Sequence, residues 1–288
     1  MATIIDNNQL IAAPPVGLLR YGLFSAAGAI LPMDTRIIAS GLSFFADHCG
    51  DGATYDQTCT VNPVKPFNEG SDLMEADPFW VLARKRCGAV GRTGEEMLTA
   101  VRQLLSTREQ QLVEEVVWDG GALTTATPTL TGSGATIVVP GAAGAGAAIA
   151  ALEEAFYDTY GYVGTIHVNT QAYAAAAYSE LVERSNGGVL TTPLGSVWSF
   201  GSGYGVTGPA DVAPAAGFVW AFMTGKTTIW RTEILPQPDP RQTLDRSLNQ
   251  WDVVAERVYA VTWDCPEVVA VQVPIAAPAV ATAPAVPA

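Results

Sequence analysis

The chain has 288 residues, of which 49% are hydrophobic, enough for one large domain or two small domains with a packed core. Only 15% are charged and the net charge is −13, which excludes the basic footprint of a protein that reads nucleic-acid sequence. The first ten residues lack the basic start and the apolar run of a secretory signal, and no later segment is apolar enough to span a membrane. We therefore expect a soluble protein of cytoplasmic origin.

The first quarter of the sequence has little regular periodicity. Residues 1–45 hold two apolar segments without the spacing of an independent domain, so we expect an arm that packs on other elements or on a neighbouring subunit. Residues 46–77 are rich in Gly, Asp, Asn and Pro, which predicts a long loop or a loose hairpin. A loop of this length in a compact domain is usually functional or lies between subunits.

The four cysteines are far apart, at Cys49, Cys59, Cys87 and Cys265. They include no Cys-x-x-Cys pair, so the spacing of a zinc ribbon is missing. Cys49 and Cys59 bracket the polar loop and could form a disulfide in an oxidising setting, whereas Cys87 and Cys265 are interpreted as buried free thiols. His48 and Asp51 add two more types of metal ligand beside Cys49 and Cys59. These four residues lie on one loop without a second paired set of ligands, so we predict no metal site.

The centre of the sequence predicts a strand followed by a long helix. Residues 78–90 alternate in polarity and place Arg84 and Arg86 on one face of the strand. The helix covers residues 94–118, with a capping box from Thr93 and a stop at the Asp-Gly-Gly run.

This long helix is predicted to carry two different faces. The apolar stripe, expected to pack on a sheet formed by residues 78–90 and 253–263, consists of Met97, Val101, Leu104, Leu105, Leu112 and Val116. The polar face is expected to contact neighbouring subunits and consists of Glu95, Arg102, Arg108, Glu109 and Glu115.

The rest of the chain alternates short strands and helices. We predict a short strand at 135–140, helices at 147–160 and 170–188, a strand at 163–169, strand-rich stretches at 195–205 and 218–235, and one long strand or a strand pair at 251–274. Residues 276–288 carry no charge and contain regularly spaced prolines, which is typical of an extended tail.

One glycine-rich turn has the form of a dinucleotide phosphate site. Gly141, Gly144 and Gly146 lie between a short strand and a helix. However, Pro140 opens the turn, and the next strand ends in Asn169 where a ribose-binding acid is expected. We favour a hinge into the helix and keep an NAD(P)-dependent oxidoreductase as the alternative from another functional class.

Other catalytic patterns are weak. His167 lies within a predicted strand and is interpreted as a packed residue, and the sequence has no nucleophile elbow between a strand and a helix. We predict no catalytic residues, no cofactor and no enzyme activity.

Four segments, in this order, carry a resemblance to a known family. They are DPFWVLARKRCGAVGRTGEEMLTAVRQLLSTREQQLVEEVVWDGG, GTIHVNTQAYAAAAYSELVERSNGGVL, FVWAFMTGKTTIWRTEIL and NQWDVVAERVYAVTWDCPEVVAV. Their order resembles that of the major capsid protein of tailed bacteriophages, the Hong Kong-type capsid fold, including an acid-arginine step at Glu256-Arg257 before an alternating strand.

The resemblance implies an α+β phage capsid fold with defined parts. These are an N-terminal arm (1–45), an extended loop (46–77), a peripheral domain with the spine helix (78–140), an inserted axial domain (141–235), a return to the peripheral domain (236–275) and an Ala/Pro tail (276–288). Candidate assembly residues are Arg84, Arg86, Arg102, Arg108, Lys65, Glu256 and Arg257.

The resemblance also implies a function. It predicts a structural subunit that assembles as hexamers and pentamers into an icosahedral head around double-stranded DNA, located in the virion after assembly in the host bacterial cytoplasm. Expected partners are copies of itself and candidate scaffolding, portal and decoration proteins, with DNA only in non-specific proximity and no membrane. Alternatives are an encapsulin-like nanocompartment shell and a minor head protein.

Two departures from the family pattern limit what the resemblance implies. The N-terminus has no long charged helix, so we expect no built-in scaffolding region. Lys65, beside Asn62, is the single lysine of the polar loop, and a covalent crosslink between subunits is not carried over.

Overall fold

The computed structural model describes residues 17–46, 48–49, 72–89, 91, 93–123, 128–185, 187–235 and 243–275. The predictions for Asp51, Cys59 and Lys65 lie outside these residues. The helices are α1 (Leu23–Ala26), α2 (Thr35–Ser40), α3 (Gly94–Asp119), α4 (Ala145–Tyr160) and α5 (Tyr173–Tyr178). The strands are β1 (Ala29–Pro32), β2 (Leu42–Ala46), β3 (Asp72–Ala76), β4 (Phe79–Gly88), β5 (Thr136–Ile137), β6 (Thr165–Asn169), β7 (Glu183–Arg184), β8 (Leu190–Thr191), β9 (Val197–Gly201), β10 (Phe218–Thr224), β11 (Thr227–Arg231), β12 (Leu244–Asp245), β13 (Gln250–Trp263) and β14 (Val269–Pro274).

The long helix α3 packs on a five-stranded sheet, here called the spine sheet. Its strand order is β1-β11-β13-β12, with β4 paired antiparallel to the opposite edge of β13. Alternate residues of β4, namely Phe79, Val81 and Ala83, are buried in the same core as α3. The predicted packing of this helix on strands β4 and β13 is therefore confirmed.

The ends of α3 follow from local sequence. Thr93 Oγ1 accepts a hydrogen bond from the Glu96 backbone N–H, and the Glu96 side chain accepts one from the Thr93 backbone N–H. The left-handed conformation of Gly120 ends the helix. Both predicted signals are confirmed.

The predicted faces of α3 need two corrections. Leu104 is 39% exposed, so it does not belong to the buried stripe, whereas Leu105 is fully buried. The stripe follows i to i+4 steps through Met97, Val101 and Leu105, which places Leu104 at its margin. Glu109, predicted on the polar face, is buried because its partners lie on β13.

The second body is a seven-stranded sheet in the order β5-β14-β10-β6-β9-β8-β7. Helix α4 packs on it through Ile149, Leu152 and Phe156, which share a core with Ile166 and Val271.

The chain passes between the two sheets at points that the sequence did not predict. Strand β11 lies in the spine sheet although residues 141–235 were predicted as one inserted domain. Strand β14 lies in the seven-stranded sheet although residues 236–275 were predicted to return to the first domain. The two crossings touch each other, because a side chain at Gly225 would overlap the Asp264 carbonyl group. Strands β10 and β11 are thus neighbours in sequence without forming a hairpin.

The helix predicted at 170–188 is much shorter. A 3-10 turn at Thr170–Ala172 precedes α5, and the side chain of Asn169, not that of Thr170, accepts the capping hydrogen bond from the Gln171 N–H. After α5 the chain pairs as β7 with β8, and Leu181 packs on the second core. Strand pairing and burial therefore override helical propensity in this segment.

The strands before β4 form two pairings. Strand β1 adds to the spine sheet in parallel with β11, and β2 pairs antiparallel with β3. The β2–β3 pair supports the hairpin alternative for the polar segment and begins at Leu42, ahead of the predicted boundary at 46. None of the described helices is both long and apolar enough to cross a membrane.

Candidate assembly surfaces and the joints beneath them

The face of β4 opposite α3 carries an exposed apolar pair. Trp80 is 51% exposed and Leu82 is 54% exposed, and Arg84 and Arg86 continue the same face. Among the described residues β4 pairs only with β13, so its other edge is open. An open edge beside exposed apolar side chains is a surface that proteins usually cover. We call Trp80 and Leu82 the β4 patch.

The two arginines on this face are confirmed as neighbours, and both bind one carboxylate. Arg84 Nε donates to Asp252 Oδ1 at 2.8 Å, and Arg86 Nη2 donates to Asp252 Oδ2 at 2.7 Å. The hydrogen bonds from Arg84, which has the larger effect, and from Arg86 hold the pKa of the Asp252 carboxyl well below its usual range. Glu256 lies on the same sheet face, opposite Leu82 in register, and is half-buried.

The hairpin carries a second exposed apolar pair. Phe45 on β2 and Leu73 on β3 are register partners, and they are 65% and 56% exposed. Because cross-strand partners lie on the same face of a sheet, these two side chains form one surface, the hairpin patch.

The polar face of α3 contributes charge. Arg102 and Arg108 are both exposed, as predicted, and Arg108 Nη1 donates to Gln111 Oε1 at 2.9 Å. The predicted role of these two arginines in contacts between subunits stays a prediction.

Arg257 points inward, which corrects its prediction as an assembly residue. Its Nη1 donates to Glu109 Oε2 at 2.9 Å, and the Tyr259 hydroxyl donates to the same oxygen at 2.7 Å. Successive residues of a strand face opposite sides, so Arg257 faces α3 while Glu256 faces away. Burial, reinforced by the Glu109 charge, raises the pKa of Tyr259 well above its usual range. This cluster fastens the spine helix to β13.

A second buried carboxylate joins three parts of the chain. Glu114 on α3 is fully buried, and its Oε1 accepts from the Leu23 N–H while its Oε2 accepts from the Gly203 N–H, each at 3.0 Å. Leu23 begins α1, and Gly203 follows β9 of the seven-stranded sheet. Burial raises the pKa of Glu114 to about 7, although the backbone donors act in the opposite direction.

The approach of the β9 loop to this carboxylate depends on glycine. A side chain at Gly203 would overlap the Gln111 carbonyl oxygen of α3. The glycine spacing at 203, 205 and 208 was the available sequence signal, because glycine is typical of close backbone contacts. The spacing marks where a loop lies against the spine helix, a placement that we did not predict from the sequence.

His167 is a packed strand residue, as interpreted from the sequence. It is fully buried, with Nδ1 2.9 Å from the Tyr204 hydroxyl and Nε2 2.9 Å from Thr224 Oγ1. Burial lowers the pKa of His167 to about 3, so the ring is neutral. Because both nitrogens are occupied, His167 fixes β6, β10 and the β9 loop to one another.

The predicted cysteine pairing is wrong. Cys49 is bonded to Cys265, so it does not pair with Cys59, and Cys265 is not a free thiol. Among the described cysteines Cys87 is free and half-buried. The ligand atoms of Cys49, Asp264 and Cys265 lie within 4.8 Å of one another, but the disulfide uses both sulfurs.

The glycine turn at 141–146 lines an open groove of about 930 Å³ with entirely uncharged residues. Helix α4 starts at Ala145, so Gly146 belongs to the helix and the turn before it ends at Gly144. In the sheet, β5 and β6 are separated by β14 and β10, whereas a dinucleotide unit has these two strands adjacent. The Asn169 amide donates to the Tyr204 carbonyl, which occupies it within the chain. The geometry favours the hinge interpretation.

Known proteins resemble the chain in structure and not in sequence. No family model matches it, and no curated protein matches it significantly. A solved structure from Mycobacterium phage Ogopogo has a TM-score of 0.52 at 14% identity and covers 92% of this chain and 96% of that chain.

Two capsid structures match to the same degree. The capsid of Ralstonia phage GP4 has a TM-score of 0.53 at 11% identity, covering 96% of this chain and 97% of its own. The capsid of an empty GTA particle has a TM-score of 0.53 at 13% identity, covering 91% and 100%. The chain therefore has the α+β fold seen in these capsid structures.

Proposed function

We propose that this chain is the shell subunit of a tailed-phage head, which assembles as hexamers and pentamers around double-stranded DNA. The observation that carries the proposal is the pair of exposed apolar surfaces, the β4 patch and the hairpin patch, on a fold shared with capsid structures. Burial of such surfaces is the main favourable term in protein association.

The two patches suit a contact between neighbouring copies. The hairpin patch of one subunit lies on the β4 patch of the next, where Phe45 and Leu73 meet Trp80 and Leu82. A contact between different surfaces of identical chains is heterologous, and heterologous contacts produce closed rings when the rotation closes. Hexamers and pentamers are two such rings.

The buried joints give the subunit the rigidity that a shell requires. Glu109 fastens the spine helix to β13, and Glu114 fastens it to α1 and to the β9 loop. We assign the spine sheet to the peripheral domain and the seven-stranded sheet to the axial domain.

The charge of the chain suits a genome container. A net charge of −13 repels DNA phosphates, so packaged DNA is held by enclosure and not by adhesion.

Substitution of one patch residue tests the proposal. Because Trp80 is exposed, Trp80→Asp should leave the subunit folded by circular dichroism and abolish pelleting of particles in a sedimentation assay. Leu194→Asp is the control, since Leu194 is 71% exposed on the turn between β8 and β9, outside both patches. A normal particle yield from folded Trp80→Asp would show that the β4 patch is not needed for assembly, and it would contradict the proposal.

A further inference from the structure

Two adjacent bonds fasten the end of the hairpin to the body of the subunit. His48 Nδ1 lies 2.8 Å from Asp264 Oδ2. Cys49 forms a disulfide with Cys265, and the Cα atoms of the two cysteines are 5.4 Å apart. Both pairs join the segment after β2 to the turn between β13 and β14. The cysteines are 216 positions apart in sequence, so this bond connects two distant parts of the described chain.

The attachment point is the place where the chain crosses between the sheets. Asp264 contacts the other crossing at Gly225, and Tyr162 of the seven-stranded body has its hydroxyl 3.1 Å from Cys265 Sγ. Cys265 is fully buried, whereas Cys49 is half-exposed. A reagent can therefore reach the bond from the hairpin side, and the body holds the other sulfur in place.

Without the disulfide, the His48–Asp264 contact is a weak attachment. The His48 side chain is 74% exposed, and exposed polar contacts of this kind contribute little to stability, even when both groups are charged. The hairpin is a two-stranded sheet, which is marginally stable alone. The bond thus adds a covalent attachment of β2, and with it Phe45 of the hairpin patch, to the buried packing of Ala46 and Ala76.

We propose that the Cys49–Cys265 bond is an oxidation-controlled crosslink that stays open in the reducing host cytoplasm and locks the hairpin once the subunit meets an oxidising environment. The proposal rests on the proposed function, since shell assembly in a cytoplasm and release from it supply the two environments. The open form lets the hairpin adjust while subunits associate, and the closed form fixes the hairpin patch.

The chemistry balances with a small-molecule disulfide as oxidant. The Cys49 thiolate attacks one sulfur of the oxidant and releases one small thiol, giving a mixed disulfide. The Cys265 sulfur, after losing its proton, attacks Cys49 Sγ, forms the intramolecular bond and releases the second small thiol. The two cysteines lose two electrons and two protons, and the oxidant is reduced to two thiols.

Peptide mapping of the full chain tests the inference whether or not particles form. A failure of the redox proposal can therefore be distinguished from a failure of the proposed function. Protein expressed in a reducing cytoplasm is alkylated at lysis, and a second sample is first treated with oxidised glutathione. We expect alkylated Cys49 and Cys265 in the first sample and a Cys49–Cys265 peptide in the second. A Cys49–Cys59 peptide after oxidation, or a Cys49–Cys265 bond already complete at lysis, would overturn the proposal.

Hydrogen exchange supplies the functional readout. Oxidation should slow exchange of the β2 and β3 amides at least about tenfold, because a crosslink commonly contributes more free energy than one tenfold change. Cys49→Ser should abolish this difference, whereas Cys87→Ser, which removes the free thiol on β4, should behave as the unmodified chain. Equal exchange in the oxidised and reduced chains would show that the bond does not lock the hairpin.

Discussion

Replacement of Leu105 by alanine should remove a large share of the subunit's stability, while the same change at Leu104 should be nearly silent. Leu105 is fully buried between α3 and the spine sheet, whereas Leu104, one residue away on the same helix, is 39% exposed. The pair keeps residue type and helix context constant and changes only burial.

The expected magnitudes differ several-fold. A buried leucine truncated to alanine costs about 2–5 kcal/mol, because transfer free energy is lost and a cavity remains. Leu104→Ala should cost less than about 1 kcal/mol, since surface substitutions have small effects. Domains are commonly stable by about 5–15 kcal/mol, so the first change alone removes a substantial fraction.

Urea unfolding of the unassembled subunit measures both values. Tryptophan fluorescence, to which the buried Trp118 of the α3 core contributes along with the other six tryptophans, reports unfolding, and the midpoints convert to free energies when the slopes agree. Equal destabilisation by Leu104→Ala and Leu105→Ala would refute the placement of the helix on the sheet. A larger effect at Leu104 would indicate that the helix is rotated.

Three further predictions follow from the buried joints and the polar face. Burial raises the folded-state pKa of Glu114 to about 7 from an ordinary 4.5, so the stability this group contributes is present below about pH 4.5 and is lost as pH rises through about 7. The unfolding free energy of the chain relative to Glu114→Gln should fall by about 3 kcal/mol across this window, and a pH-independent difference in urea midpoints would contradict it. Arg257→Met should cost about 3–5 kcal/mol by leaving Glu109 buried without its cation, and Glu109→Leu added to it should restore much of that loss in thermal melts; no recovery would argue against the pair. Arg102→Glu should preserve the melting temperature and reduce particle yield in sedimentation, and unchanged yield would remove the predicted role of the polar face.

Features set by neighbouring residues were predictable. The capping box at Thr93 and the stop at Gly120 depend on contacts within a few residues, and the alternation of β4 depends on one exposed and one buried face. These signals located the spine helix and the strand before it, and they supported the resemblance to capsid proteins.

Features set by distant partners were not predictable from the pattern. Glu109 has the polarity of an exposed helix residue, and it is buried only because Arg257 and Tyr259 lie 148 and 150 positions away. Glu114 likewise depends on Leu23, 91 positions away. A single sequence shows that these carboxylates exist, but it does not show which donors reach them.

The cysteine pairing and the sheet crossings share this cause. Cys59 is ten positions from Cys49 and was the natural partner by spacing, whereas Cys265 is brought to Cys49 by the fold. Strands β10 and β11 are separated by two residues and favour a hairpin by proximity, yet β10 pairs with β6 and β14, and β11 pairs with β1 and β13.

Electron microscopy of the purified full chain tests the proposed function most directly. Concentrated protein should form closed shells built from five- and six-membered rings, and two-dimensional averages should place neighbouring subunits in contact at the β4 patch. Protein that stays a compact monomer at high concentration, with Trp80 still accessible to solvent quenchers, would contradict the account.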